Sequence, residues 1–148
     1  MDDFPHVVIY SDGACDPNPG KGGWAALLIY KSKRKEISGS EKDSTNNRME
    51  LTAAIEALET LTQTCKIDFY TDSEYLKRGI TEWIGNWRAR NWKRKKGVLK
   101  NVELWKRLDT ALSEHDIQWH WVRSHSGNRY NQRVDYLARK AIREIKKG

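Results

Sequence analysis

Two short stretches of this chain end in the same way, and that repetition constrains its fold more than any other feature. Val7-Val8-Ile9-Tyr10 runs into Ser11-Asp12-Gly13, and Ile67-Asp68-Phe69-Tyr70 runs into Thr71-Asp72-Ser73. Each strand-like run closes with an aromatic, a hydroxyl, an Asp and a small residue. Val7 to Tyr10 is continuous, apolar and β-branched, and reads as a strand buried on both faces. If the two strands are parallel neighbours, both Asp residues sit at carboxyl ends of strands, the edge where open α/β sheets bind ligands. Adjacent strands lie about 4.8 Å apart. Two ionised carboxylates there repel each other unless a cation lies between them or one keeps a proton.

The rest of the 148 residues supplies the frame. Asp16-Pro17-Asn18-Pro19-Gly20 and Gly22-Gly23 form a turn-rich loop after the first strand. Trp24–Tyr30 and Glu36–Ser40 read as second and third strands around the polar turn 31–35, which makes the start a meander. Ser44 or Thr45 caps a helix whose apolar positions are Leu51, Ala54, Ile55, Leu58 and Leu61. The strand at 67–70 follows. Then come a helix over 74–92 that Gly79 or Gly85 could break, a basic loop, a helix over 102–112 and a strand over 117–123. A last helix carries Val134, Leu137, Ala138, Ala141, Ile142 and Ile145 on one face. The order β-β-β-α-β-α-α-β-α predicts an α/β fold, a five-stranded mixed sheet with helices on both faces. No fixed-period repeat and no linker interrupts it, so a single domain over 1–148 is expected.

Two further acids stand out. Glu50 precedes Ala54 by four and Ala57 by seven, on the edge of its helix's apolar stripe. Asp135 is placed in the first turn of the last helix, beside a second buried stripe. It could complement the helix dipole there. Taken singly, each acid has a structural reading. Four acids approaching one sheet edge do not, because an uncompensated cluster of charges is costly to bury. Mg²⁺ gives them a reason, since it prefers carboxylate oxygen and keeps several waters. Metal ions between carboxylates suit phosphodiester hydrolysis.

The charge balance points to the matching substrate. The chain carries 27 Lys and Arg against 20 Asp and Glu, a net +7. Residues 83–100 alone hold seven cations and no acid: Arg88, Arg90, Lys93, Arg94, Lys95, Lys96 and Lys100. The rest of the chain is therefore neutral, and the excess forms a local patch for a polyanion. Trp83, Trp87 and Trp92 interleave with these cations. Indole rings there could stack on sugars or bases, or anchor the segment to the core. No stretch approaches the ~20 apolar residues of a membrane span, and residues 1–5 show no signal-peptide pattern. Cys15 and Cys65 are too few for a disulfide scaffold. A cytoplasmic protein with no membrane partner is expected. His125, in the loop Ser124-His125-Ser126-Gly127, has an ordinary pKa suited to proton shuttling, although a lone loop histidine can equally be inert. His120 reads as structural, and His6 and His115 carry no signal.

Several motifs together resemble ribonuclease H of type 1, in its bacterial form, from about Val7 to Ala141. They are Tyr10-Ser11-Asp12-Gly13-Ala14-Cys15 with Asn18-Pro19-Gly20; Thr45-Asn46-Asn47-Arg48-Met49-Glu50-Leu51; Tyr70-Thr71-Asp72-Ser73; Trp83-Ile84 through Trp92; Lys100-Asn101-Val102-Glu103-Leu104-Trp105; Trp119-His120-Trp121-Val122 with His125 and Gly127; and Asn131, Arg133 and Asp135. The resemblance implies a ribonuclease H-like fold with a basic helical protrusion. It implies cleavage of the RNA strand of RNA–DNA hybrids, leaving 5′-phosphate and 3′-hydroxyl ends, with Mg²⁺ or Mn²⁺ required. By position, Asp12, Glu50, Asp72 and Asp135 match the family's metal-binding carboxylates. His125 matches the loop histidine that assists proton transfer or product release. Cys15, Asn18, Asn46 and Asn47 match hybrid contacts, with Thr45 and Asn18 at a DNA phosphate. Trp83, Trp87, Arg88, Lys93, Arg94 and Lys96 fall in the basic protrusion that grips the DNA strand. A monomer is expected.

Those roles agree with the chemistry of the groups. Telling RNA from DNA requires contact with the 2′-hydroxyl in the wide minor groove, and Asn side chains both donate and accept there. The chain departs from the family pattern at Glu74, where many members have Gln, at Asn128-Arg129-Tyr130, where a Pro- and Glu-containing loop is usual, and at Asp16-Pro17, which makes the first loop stiffer and more acidic. Other readings of the same residues are an idle module that binds hybrid or double-stranded RNA, a related nuclease cutting DNA strands or junctions, and a glycosidase. The last suits neither a basic patch nor a metal requirement.

Overall fold

The structure is a computed structural model that describes residues 4–93, 100–123 and 128–145. Five strands, β1 (His6–Cys15), β2 (Gly20–Tyr30), β3 (Lys33–Ser44), β4 (Lys66–Thr71) and β5 (Asp116–Trp121), form one sheet in the order β3-β2-β1-β4-β5. The first three pair antiparallel, as a meander, while β1, β4 and β5 run parallel. The central strand is β1, and the apolar run at its start explains why. Val7, Ile9 and Tyr10 are all nearly inaccessible, so both faces of the strand are covered.

The helices divide between the two faces. On one side α1 (Asn46–Thr60), α2 (Glu74–Arg78), α3 (Ile84–Ala89) and α4 (Val102–Ser113) build the larger core, around Ile9, Ile55, Leu58, Phe69, Leu76 and Trp105. On the other, α5 (Arg129–Arg143) lays Val134 and Ala138 on Tyr10, Ala25 and Leu27. Helix α5 covers only the β1–β2–β3 half of its face, which leaves Asp68 and His120 on β4 and β5 half-exposed there. No helix among the described residues is long and apolar enough to cross a membrane.

Several boundaries differ from those expected, and each difference has a local cause. Strand β1 does not stop at Ser11 but continues to Cys15, because β2 keeps pairing with it as far as Gly22. Asp12 therefore lies inside a strand, opposite Ala25, rather than at a strand end. Only Asp72 lies past the end of its strand, where Ser73 caps α2 by accepting a hydrogen bond from the Leu76 N–H at 3.0 Å. Strand β3 is longer than expected, and β5 ends two residues sooner. Thr45, not Ser44, caps α1, its Oγ1 accepting from the Arg48 N–H at 3.1 Å.

The helical stretch after β4 is not uniform. Gly79 opens a π-helical turn, Gly79–Trp83, before α3, and the chain leaves helical geometry at Arg90 rather than continuing to Trp92. Gly85 interrupts nothing. The reason for glycine at 79 is space: a Cβ there would meet the Trp105 ring at 1.9 Å. Helix α5 begins at Arg129, with Asn128 accepting from the Tyr130 and Asn131 N–H groups. Asp135 consequently lies in the second turn, not the first. The helix-dipole reading of this acid falls away, since that effect fades within the first turn.

Candidate active site

A close approach of backbones sets the site. At Gly13 an added Cβ would lie 2.3 Å from both the Glu50 nitrogen and the Met49 carbonyl carbon, so only glycine lets β1 and α1 come this near. That contact places Glu50 of α1 beside the strand that carries Asp12. Asp12 shares the α5 side of the sheet with Val8 and Tyr10. The parallel ladder between β1 and β4 ends at Tyr10 opposite Tyr70, and Asp12 and Asp72 each follow two residues later. Helix α5 brings Asp135 down onto the same spot.

The electrostatics show how crowded the spot is. Burial, reinforced by the charges of Asp72 and Asp135, pushes the Asp12 carboxyl up to about 8. Asp135 also lies within hydrogen-bonding reach of it, and the Gly13 N–H donates to Asp12 Oδ1 at 2.9 Å. Burial likewise pushes Glu50 up to about 7, with Asp72 adding to the rise and the Ser73 hydroxyl opposing it. Ser73 Oγ donates to Glu50 Oε2 at 2.5 Å, and Asn46 Nδ2 donates to Oε1 at 3.1 Å. Asp135 accepts from Arg139 Nε at 3.1 Å on its outer side.

Asp12, Glu50, Asp72 and Asp135 thus come from four different elements into one mutually repelling neighbourhood. Among the described residues, no three acid, His or Cys side chains converge closely enough to complete a metal-ligand set. Each of three carboxylates leans toward its own donor instead: Gly13 for Asp12, Ser73 and Asn46 for Glu50, Arg139 for Asp135. The donor chemistry nonetheless fits a hard divalent cation. The groups are carboxylate oxygens, and burial, with the neighbouring carboxylates, raises two of them, Asp12 and Glu50, well above the usual range, a strain that a cation would relieve.

The rim holds most of the expected substrate contacts. Asn18 Oδ1 accepts from the Asn46 N–H at 3.1 Å, which ties the first loop to the start of α1. Thr45 and Arg48 line a cleft of about 360 Å³ with Pro19, Gly20, Asp43, Ser44 and Asn101. Cys15 is half-buried, its Sγ directed at the Pro17 and Ser44 carbonyls. Asn47 is exposed on the first turn of α1. Asn46 has a double place: it stands at the rim and also holds Glu50.

The basic segment is anchored by its own aromatics. Trp87 packs edge-on against the buried Trp105, with ring centroids 5.2 Å apart, and Trp83 packs against Tyr75 and Trp87. Both indoles are half-buried, Trp87 packed against the core itself and Trp83 against the rings of Tyr75 and Trp87. Arg88 is bound by Asp109 of α4, its Nε donating at 2.7 Å, so its charge is matched in a way the segment alone does not reveal. Lys93 is exposed. Arg94, Lys96 and His125 lie outside the described residues.

Two arrangements were not visible in the sequence. In the sequence Ser73 is only the small residue after an Asp, yet it joins Asp72's turn to Glu50; its signal is its position as a helix cap. His6 and His120 both reach Asp68, at 2.5 and 2.7 Å, and this tie across β1, β4 and β5 holds the Asp68 carboxyl below its usual range. The structural reading of His120 fits that role, whereas His6 had shown no signal. His115 Nδ1 accepts from the Cys65 N–H.

The sequence of residues 5–143 matches the RNase H family model. A ribonuclease H of Wolbachia pipientis is 56% identical over 138 residues, covering 92% of this chain and 94% of that protein. A ribonuclease HI of Caulobacter vibrioides is 53% identical over 141 residues, covering 95% of each. Among solved structures, LC9-RNase H1, described as a type 1 RNase H with the type 2 active-site motif, superposes with a TM-score of 0.87 at 33% identity, over 96% of this chain and 74% of that one. LC11-RNase H1, solved in complex with RNA/DNA hybrid, shares the fold with a TM-score of 0.70 at 22% identity over 93% of this chain and 96% of that one. With a match that spans nearly every described element, and relatives identical at more than half of the aligned positions, the chain belongs to the ribonuclease H family.

Proposed function

We propose that this protein is an endonuclease that hydrolyses the RNA strand of RNA–DNA hybrids, leaving 5′-phosphate and 3′-hydroxyl ends. The observation that carries the reading is the gathering of Asp12, Glu50, Asp72 and Asp135, the first two strongly desolvated, in a chain of this family. The curated relatives carry the name ribonuclease H, and a related fold has been solved on a hybrid.

Asp12, Asp72, Glu50 and Asp135 are the residues that would hold Mg²⁺, or Mn²⁺ in its place. When bound there, the ion supplies an activated water and offsets charge on the leaving oxygen. Ser73 and Asn46 each hold one oxygen of Glu50 and so fix its rotamer beside Asp72. The low accessibility of the site keeps bulk water from screening these charges. Asn18, Asn46, Asn47 and Cys15 face the minor groove of the hybrid, where amides read the 2′-hydroxyl. Thr45 with Asn18 seats a phosphate of the DNA strand. Lys93, Arg94 and Lys96 hold the DNA backbone without reading sequence, on a base formed by Trp83, Trp87 and the Asp109-paired Arg88. His125 moves a proton at the leaving oxygen or aids product release. The chain acts as a monomer in the cytoplasm, and free Cys15 and Cys65 suit that reducing setting.

The test is cleavage of end-labelled hybrid, duplex DNA and duplex RNA in parallel with Mg²⁺. Only the RNA of the hybrid should be cut, with the products extendable from their 3′ ends. Equal cutting of duplex DNA would make the chain a different nuclease of this fold, and hybrid binding without cutting would make it a binding module.

A further inference from the structure

We infer that Arg34, Arg129 and Tyr130 form a phosphodiester clamp at the seam between the start of α5 and the sheet, gripping the nucleic-acid backbone beside the cut. The inference rests on the nucleic-acid substrate proposed above. Arg34 lies near the start of β3 and Arg129 is the first residue of α5, yet both guanidinium groups meet at one phenol. Arg34 Nη2 donates to the Tyr130 hydroxyl at 3.1 Å and Arg129 Nη2 donates to it at 2.9 Å. Both also stack on the ring, at 5.1 and 4.8 Å from its centroid.

Two like charges held on one oxygen repel, and among the described residues the acid beside them, Glu36, is taken up mainly by Arg133. Among the described residues neither Arg34 nor Arg129 has a carboxylate partner. Glu36 feels the charge of Arg34, but both of its oxygens accept from Arg133, at 2.6 and 2.9 Å. Leu27, Arg34, Glu36, Arg129, Tyr130 and Arg133 line a cleft of about 230 Å³ whose charges leave a net excess of two positives. The cleft is small for an ordinary small-molecule site and has room for an anion. Tyr130 itself is rigidly seated: its ring packs on Tyr10 at 5.2 Å, and its N–H is held by Asn128. A fixed phenol that aims two guanidinium forks suits phosphate, which Arg binds with two parallel N–H donors.

The sheet fixes the distance to the acids. Arg34 is opposite Ile29, which is opposite Val8, and Asp12 is four residues further along β1. That is about 13 Å along the strand and about 10 Å across two strand spacings, or ~16 Å in all. The Tyr130 ring stands closer than Arg34, packed on Tyr10 two residues before Asp12, so the clamp meets the backbone within a few nucleotides of the attacked bond. It is separate from the Thr45 cleft, which lies beyond Asp12 at the other end of β2 and β3.

The experiment measures hybrid binding by fluorescence anisotropy in EDTA, between about 50 and 200 mM KCl, with a duplex long enough to cover both places. Because the two guanidinium groups share one phosphate, Arg34→Ala/Arg129→Ala should make the plot of log Kobs against log [salt] shallower by about one, with Arg34→Lys/Arg129→Lys restoring most of the slope. In Mg²⁺, KM should rise several-fold while kcat stays unchanged. Coincident slopes for the wild type and the alanine variant would overturn the clamp. So would displacement of the cleft's function to an acidic peptide, seen as poly-glutamate binding that the alanine variant loses while hybrid binding is intact. Both side chains are exposed, and the single Arg129→Ala, expected to weaken hybrid binding and lower the slope by less than the double variant, gives the same decision if the double variant melts early. Because binding is read without cleavage, a chain that fails to cut hybrid would refute the proposed activity and still leave the clamp decidable.

Discussion

Replacing Asp12 by Asn should make the metal-free protein more stable while abolishing its cleavage. The Asp12 carboxyl ordinarily ionises at 3.8, but the fold moves it to about 8, mainly by burial and then by the charges of Asp72 and Asp135. Between about pH 4 and 8 the folded chain therefore binds a proton that the unfolded chain has released. Stability must fall as pH rises through that window and level off above it. At pH 7 about three pH units separate the unfolded group from the solution, each worth about 1.4 kcal/mol, which sets a ceiling near ~4 kcal/mol. Rearrangement of the side chain away from its neighbours recovers part of this, so about 2 kcal/mol is expected from Asp12→Asn, or roughly 5 °C in Tm. Asn has nearly the same shape and still accepts from the Gly13 N–H. The assay is thermal unfolding by circular dichroism in EDTA at pH 5, 7 and 9. The difference between variant and wild type should grow from pH 5 to 9 and shrink on adding Mg²⁺, because an ion bound only by the folded wild type stabilises it. An Asn variant equal to or weaker than wild type at pH 7 and 9 would show that Asp12 is not the strained carboxyl described here, and the electrostatic basis of the site would fail with it.

Other outcomes follow from the same geometry. Ser73→Ala removes both the hydroxyl that holds Glu50 and the cap of α2, so the fold should lose about 1 kcal/mol and the Mg²⁺ concentration for half-maximal cleavage should rise, as read by a metal titration. Changing Lys93, Arg94 and Lys96 together to Gln should raise KM and reduce the salt slope of binding by up to about three, with kcat kept; an unchanged slope would remove the segment from the grip. His125→Ala should lower kcat by about tenfold or more and leave hybrid binding in EDTA intact. Equal turnover would make His125 a loop residue without a chemical role.

Much of this architecture was legible in the residues because it rests on local rules. The continuous apolar run of Val7–Tyr10 requires burial on two faces, and β1 is the central strand. The 3.6-residue stripes of α1 and α5 required facing cores, and there are two, one on each side of the sheet. The meander at the start followed from the turn residues between the first three strands. The boundaries were less legible, because strand length depends on a partner. Nothing between Ser11 and Cys15 announces that β2 continues alongside, and the turn signals in Ser11-Asp12-Gly13 argued for a stop.

The four acids are named by the sequence, since the repeated aromatic–hydroxyl–Asp ending and the acids beside apolar stripes are covalent facts. What surrounds them is not. That Gly13 lets α1 touch β1, that Ser73 reaches Glu50, and that Asp109 neutralises Arg88 are contacts between segments far apart along the chain. Arg34 and Arg129 are unremarkable cations until β3 and α5 set them on one tyrosine. Composition and periodicity fix which faces must be hidden, because hydrophobic burial is roughly proportional to area and indifferent to partner. Which charge meets which is decided by distance and orientation, and those exist only once the chain has folded.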